Sequence, residues 1–466
     1  QQPVGSHLQT TADSHTPGPP PGPGPGPGPI DYNYSDYQAI KINEDLSGGE
    51  IRSTNPNESV VYINETAKIS DSTLIKESGE TSNIELCEFF GVNAAILVQN
   101  GTLTMTSGEI ITKVNGSNAV VSTNNGNVTI SNTTIKSAAT RSARGLHSTY
   151  GGKIQAKEVK ISTQGGSCAT LATDRGEGVV ICESCSLLTE GAGSPLIYST
   201  GKITVSETNG DAEGAQAVVI EGKNTAIVEK NSKLKCSAFP NRGDVDQCGV
   251  MIYQSMSGDA SIGTGTFICD NSEIEIYSSS YYYNTAPMFF VTNTNAFIQL
   301  INCIFNYGSN IFLSAKATTE WGEEGKNGGD VTLNITNQNI EGDFIIDDIS
   351  SLTINFVNSK IRGTINGNKT AKSLIINIDK DSIIEITGNS YYTEFINEKS
   401  DGSNLINGSY SWNDYTPDPE PPITDPEPDT TDPEPITTDP EPITTDPEPI
   451  TTDPEPITTD PEPITT

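Results

Sequence analysis

The chain has few of the residues that most active sites draw on. It holds 3 His, 2 Trp and 4 Met among 466 residues. His7 and His15 fall in a low-complexity start, which leaves His147 alone in the body. Ser–His or Cys–His nucleophilic chemistry needs an imidazole within reach of the nucleophile, and a satisfied surface imidazole is the simpler expectation for His147. No Lys or Arg occurs before Lys41 or after Lys399. The net charge of −34 repels phosphate backbones, so nucleic-acid binding is not expected. No run of about 18 apolar residues occurs, so no membrane span is expected. Amphipathic helix periods and helix-start signals are missing as well.

Cysteine is sparse for the length. Eight in so long a chain make no disulfide framework. Cys236 and Cys248 bracket a polar insert, Asn241 to Gln247, and are expected to clip it as a disulfide. Cys182 and Cys185 form a CxxC without a second CxxC or a nearby His, which argues against zinc. A redox motif would need a helix beside it. The connectivity of Cys87, Cys168, Cys269 and Cys303 stays open. Neither a metal nor a cofactor is expected.

What the sequence does have is a repeat. Between residues 93 and 230 one five-residue pattern returns as GTLTM (101–105), GNVTI (126–130), GKIQA (152–156), GVVIC (178–182), GKITV (201–205) and NTAIV (224–228). The copies start 25, 26, 26, 23 and 23 residues apart. Alternation buries the third and fifth residue of each. One inward column then reads Leu103, Val128, Ile154, Val180, Ile203 and Ala226, and the next Met105, Ile130, Ala156, Cys182, Val205 and Val228. Each repeat carries two more strand-like pieces. One is the group Glu109–Thr112, Thr133–Lys136, Glu158–Ile161 and Ser186–Leu188; the other includes residues 94–100, 119–125, 145–150, 169–175, 195–201 and 217–222. Three short strands per 23–26 residues, joined by Gly/Asn/Ser turns, predict one coil per repeat. A coil cannot bury its own apolar side chains, and stacking coils closes the core. The expected fold is all-β: a right-handed parallel β-helix, or β-solenoid, over residues 38–416, with roughly 13–15 coils about 4.8 Å apart. Tyr37 to Asp71 and Tyr391 to Trp412 are the expected end caps.

The flanks differ in kind. Residues 1–37 form a Pro/Gly-rich leader, expected to be disordered. Gln1-Gln2 suits a processed start. Residues 417–466 repeat DPEP seven times with a period of 7, hold 15 acids and no base, and read as an extended spacer. Its Thr pairs, Thr437 and Thr438, Thr444 and Thr445, and Thr451 and Thr452, are expected O-glycosylation sites. Asn-x-Ser/Thr acceptors occur at Asn33, Asn57, Asn64, Asn100, Asn115, Asn127, Asn132, Asn334, Asn368 and Asn407. Together they point to an extracellular or cell-surface protein.

Roughly residues 85–390 resemble a broad group of secreted microbial right-handed β-helix proteins, termed adhesin-like, within the pectin-lyase-like architecture. The stretches that carry the likeness are DRGEG (174–178), GAGSPLIYSTG (191–201), AVVIEGKN (217–224), VMIYQSMSGDA (250–260), MFFVTNTNA (288–296), WGEEGKNGGDVT (321–332) and DDISSLTIN (347–355). The resemblance implies a right-handed helix at or outside the cell surface and no defined reaction.

A polysaccharide lyase on this fold needs clustered acids and a basic residue to take the sugar's proton. Arg175, after Asp174 and near Glu177 and Glu221, is the nearest candidate, and a turn-stabilising ion pair is the reading preferred for it. Asp347-Asp348 is the nearest match to a hydrolase pair. No catalytic residue is expected. Tyr281, Tyr282, Tyr283 and Trp321 are the candidate carbohydrate-binding aromatics. The expected function is a non-catalytic structural or adhesive glycoprotein of a wall or extracellular fibre; a polysaccharide-binding module or lyase-like enzyme is the alternative. Expected partners are a cell-wall or extracellular polysaccharide and further copies joined end to end.

Overall fold

The computed structural model describes residues 32–81, 83–239 and 242–419. The leader up to residue 31 and the DPEPITT array, with its six candidate threonines, lie outside them. The unit ending at Pro417 is a parallel β-helix. Its first sheet has 12 strands, running from Gln38–Ile42 through Val250–Tyr253 to Asp343–Ile346. The second and third faces repeat alongside it. Roughly 14 rungs at about 4.8 Å give a rod about 65 Å long.

The predicted columns are the observed registers. Leu103 pairs with Val128, Val128 with Ile154, Ile154 with Val180, Val180 with Ile203, and Ile203 with Ala226. All six are buried in one continuous core. Later coils bring aromatics into it: Phe267, Phe289, Phe305 and Phe312 pack edge-on or tilted at 5.2–5.6 Å.

The third face follows the sequence pattern at Glu109 and Ser186 but starts two residues later than expected at Glu158. Glu109 pairs with Thr134, Thr134 with Lys160, and Lys160 with Ser186. Glu158 is not a strand residue but a corner, held at φ 53°. The corner between the second and third faces repeats this left-handed residue at Asn132 (47°), Ser184 (53°), Glu207 (47°), Asn271 (46°), Asn302 (49°), Asn337 (48°) and Asn358 (44°). Asn is the side chain that best tolerates this region. Some of these asparagines also bridge coils: Asn302 Nδ2 donates to Asn271 Oδ1 at 2.7 Å and Asn358 Nδ2 to Asn337 Oδ1 at 2.8 Å.

The residue after each corner supplies what the turn removes from the ladder. The Thr208 N–H donates to Ser232 Oγ at 3.1 Å, Ser232 N–H to Ser272 Oγ at 3.1 Å, Gln338 N–H to Ser359 Oγ at 3.0 Å and Ser359 N–H to Ser382 Oγ at 2.9 Å. The Val159 and Ser272 N–H groups donate to the thiols of Cys185 and Cys303 in the same column. Each buried N–H thus finds an acceptor one coil further on.

Two features depart from the sequence reading. Residues Tyr37 to Asp71 do not cap the helix but build its first coils, with Gln38–Ile42 paired to Glu58–Ile63. A helix does occur, at Ile84–Phe90. Asn83 caps it by accepting the Glu85 N–H at 3.0 Å, and Gly91 ends it at φ 75°. Seven residues are too few for a helical period to show in the sequence. At the far end Tyr392, Phe395 and Trp412 close the core, with ring centroids 5.0–5.4 Å apart.

Core and surface are distinguishable by mutation. Phe289→Ala is expected to cost about 3–5 kcal/mol, while Ile304→Ala, at a side chain 59 % exposed, should stay within about 0.5 kcal/mol. Urea unfolding followed by far-UV circular dichroism measures both; equal shifts would contradict the inward column assigned to Phe289.

Candidate functional site

Outward residues of a β-helix normally meet water, but over the middle rungs of the first sheet most do not, while Ile42 and Ile345 near its two ends stay exposed. One outward column runs Tyr62, Leu97, Val121, His147, Ala172, Tyr198, Val219, Met251 and Phe290. The chain covers both ends of it. The Ile84–Phe90 helix lays Cys87, Phe89 and Phe90 over Tyr62, Leu97 and Val121. Val245, Cys248 and Trp321 cover Val219, Met251 and Phe290. The segments carrying these last residues interlock, through Arg242 with Glu320 at 3.0 Å and Lys316 with Asp246 at 3.0 Å.

The helix is held down by its carbonyls. A helix ends with four C=O groups lacking intrahelical partners. Here Asn118 Nδ2 donates to Cys87 O at 3.1 Å, His147 Nε2 to Glu88 O at 2.6 Å, Thr149 Oγ1 to Phe89 O at 2.7 Å and Tyr37 OH to Phe90 O at 2.6 Å. His147 is therefore the Nε2–H tautomer. It is fully buried, which corrects the surface imidazole expected from sequence. Burial, reinforced by the Arg144 charge, pushes its pKa down to about 3.

Between the two covers lies a polar centre. Arg144, 8 % exposed, stands 3.7 Å from Glu88 and 3.9 Å from Asp174. Arg175 does not pair with the Asp174 side chain through its guanidinium. Its backbone N–H donates to Asp174 Oδ1 at 2.9 Å, its Nε meets Asp259 at 2.9 Å, and its guanidinium lies 3.9 Å over the Phe89 ring. Glu221 accepts from Tyr198 OH at 2.7 Å, Tyr253 OH at 3.2 Å, the Ser255 N–H at 3.1 Å and the Ser255 hydroxyl. Burial raises the pKa of Asp174 well above the usual carboxylate range and raises that of Glu221.

The register sets Asp174 and Glu221 on either side of Thr200, two rungs or about 9.5 Å apart along the sheet. That is near the upper end of the spacing used to invert a glycosidic bond, about 6.5–9.5 Å. The similarity ends at access. Asp174 is 4 % and Glu221 1 % exposed, and their oxygens already hold partners within the chain. The arrangement fastens covering segments to the sheet.

The other sequence candidates do not converge. Tyr281 is 91 % exposed, but Tyr282 packs on Phe239 at 5.6 Å and Tyr283 against the core. Trp321 is 8 % exposed, 4.6 Å from the Tyr253 ring and beneath the Arg242 guanidinium, so it presents no platform to a sugar. The tyrosines lie in the turn entering the first sheet at Phe289–Thr292, and Trp321 in the turn leaving it after Ile311–Ala315. Glu177 pairs with Lys223 at 3.4 Å. Asp347 accepts the Ser350 hydroxyl of its own turn at 2.5 Å and the Ala317 N–H of the preceding coil at 2.8 Å, while Asp348 is exposed.

All eight cysteines are free thiols in the structure, so the expected Cys236–Cys248 clip is not formed in it. Cys236 faces the main core and Cys248 belongs to the cluster outside the sheet. A shallow recess of about 160 Å³ lies elsewhere, lined by Asp343, Thr364, Asn366, Asn368 and Thr370. Among the described residues no group of three or more His, Cys, Asp or Glu is placed to hold a metal ion, and no helix is long and apolar enough to cross a membrane. No family model matches the chain, and none of the curated proteins or solved structures compared with it matches.

Burial of His147 makes stability depend on pH. An unfolded imidazole takes its proton near pH 6.5, the folded one near 3. Between these values the unfolded chain binds the extra proton, so this contribution is complete above pH 6.5 and is lost as pH falls. The slope is at most about 1.4 kcal/mol per pH unit. Asp174 and Glu221, with raised pKa values, act in the opposite sense, so the readout is the difference from His147→Gln. That difference should be largest at pH 7 and shrink toward pH 4 in urea unfolding; a constant difference would refute the assignment.

Proposed function

We propose that this chain is a non-catalytic extracellular or cell-surface glycoprotein whose β-helix serves as a rigid structural or adhesive rod, in a wall or an extracellular fibre. One observation carries the proposal: the outer face of the first sheet between Tyr62 and Phe290 is covered by the chain's own helix and inserts. Its acids and bases are spent on those covers. A rod with a sealed flank transmits load and displays its remaining faces, and it needs no open cleft. Extracellular polysaccharide and further copies of the rod are the partners in this reading. The first strand, Gln38–Ile42, has a paired neighbour on one side only among the described residues, which supports end-to-end contact. The likeness to secreted adhesin-like β-helix proteins agrees with this placement.

The sequons support a glycosylated surface. Asn33, Asn64, Asn100, Asn127, Asn132, Asn368 and Asn407 are exposed. Asn57, Asn115 and Asn334 are half-buried and engaged: Asn57 Oδ1 accepts from Thr81 at 3.0 Å, Asn115 Oδ1 from the Thr140 and Arg141 N–H groups at 3.1 and 3.0 Å, and Asn334 Oδ1 from Asn355 at 2.8 Å.

Two measurements test the proposal. The full chain, incubated with a panel of insoluble neutral and acidic polysaccharides in the presence of Ca²⁺, is expected to release no sugar. Retention on one polymer without release would identify the adhesive partner, and released product would overturn the non-catalytic reading. Enzymatic deglycosylation in heavy-oxygen water, followed by peptide mass spectrometry, should mark sites from the exposed set and leave Asn115 and Asn334 unmarked.

A further inference from the structure

Beyond that reading, one pair of cysteines in the coil stack stands apart by its geometry, although both are free thiols in the structure. Cys269 is the last inward residue of its second-face strand, opposite Leu300 in the next coil. Cys303 follows three residues after Leu300, in the corner column of that next coil. Both are buried, at 0 % and 6 % exposure, and their sulfurs stand 2.6 Å apart. A small approach of the two sulfurs would bring them to the disulfide bond length of about 2.05 Å.

The corner column gives an independent reason. Its task is to accept an N–H from the preceding coil, and an oxygen does this better than sulfur. Thr208, Ser232, Ser272 and Ser359 supply oxygen. Cysteine replaces them at Cys185 and Cys303 alone among the corners from Thr133 to Ser382, and each has a second cysteine in the adjoining inward column, Cys182 and Cys269. The hydrogen-bond ladder does not account for sulfur at Cys303; a partner sulfur does.

We propose that Cys269 and Cys303 form a disulfide that staples two successive coils in the middle of the rod. The oxidant is a low-molecular-weight or protein disulfide. The Cys303 thiolate attacks one of its sulfurs and releases the first thiol. The Cys269 thiolate then attacks the mixed disulfide at Cys303 and releases the second. Two S–H bonds and one S–S bond are exchanged for one new S–S bond and two thiols of the reduced oxidant. The order suits the pair: the Cys269 thiol holds the Cys303 pKa down, while burial pushes that of Cys269 up. Exchange takes place while the coils are closing, before the corner is sealed.

The test uses the full chain, refolded in a mixture of reduced and oxidised glutathione, quenched with iodoacetamide and digested without reduction. Monomer from a non-reducing gel is expected to give a peptide pair joining Cys269 to Cys303, two hydrogens lighter than the separate peptides and lost on reduction. Reduction of the wild type should lower the urea midpoint. In Cys303→Ser, Cys269 should be alkylated and the midpoint should no longer respond to reductant. Alkylation of both cysteines in the wild type, or linkage of either to another cysteine, overturns the proposal. So does a Cys303→Ser variant whose midpoint still falls on reduction by the wild-type amount.

Discussion

Everything in this molecule depends on the parallel rung. Successive coils must stay about 4.8 Å apart and in register, because each strand hydrogen-bonds the same position one coil earlier and one coil later. A side chain in the core therefore has fixed neighbours above and below. Leu103, Val128 and Ile154 are consecutive steps of one stack. The stack explains why the core can be narrow and still continuous from Val60 to Ile386. It also explains why corners fall to Asn and to small polar residues. A corner that fails to satisfy its N–H leaves a buried donor unpaired and breaks the rung it should continue.

The covered first sheet is the chief departure from a bare coil. A short helix and two inserts lie where a solvent face would be, and polar groups hold them there. Four side chains, His147 in the first sheet and Tyr37, Asn118 and Thr149 flanking its strands, meet the four terminal carbonyls of the helix. Glu221 gathers Tyr198, Tyr253 and Ser255 beneath the next segment. Buried charges such as Arg144 and Asp174 are costly in isolation, and breaking such a pair is costlier than replacing it whole. Their arrangement fixes where the covers dock.

The coil, its columns and its period were legible in the sequence because they are local. Alternation within five residues marks what points inward, and a shared start residue marks the repeat. The covers were not legible, because their contacts join distant positions. His147 meets Glu88 across 59 residues, and Arg175 meets Asp259 across 84. Trp321 resembles a loop aromatic until the Tyr253 ring is found beneath it. Cys236 and Cys248 bracket an insert in sequence, yet one packs in the main core and the other in the cluster outside the first sheet. Asn83 and Gly91 cap the helix in the structure, but IELCEFF between them reads equally well as a strand, so the pair does not stand out as start and stop signals in the sequence.

The corner ladder separates the length of a coil from its height. Its steps span 21 residues from Gln338 to Ser359 and 40 from Ser232 to Ser272. The rise per coil is the same in both cases, since the rung sets it. Chain added between two corners is thus expelled sideways and never lengthens the rod. The longest step is the one that contributes Val245 and Cys248 to the cover. Such a body can gain or lose surface elaborations by insertion and deletion in single coils while its axis keeps one pitch, so outer architecture and inner scaffold are free to evolve at different rates.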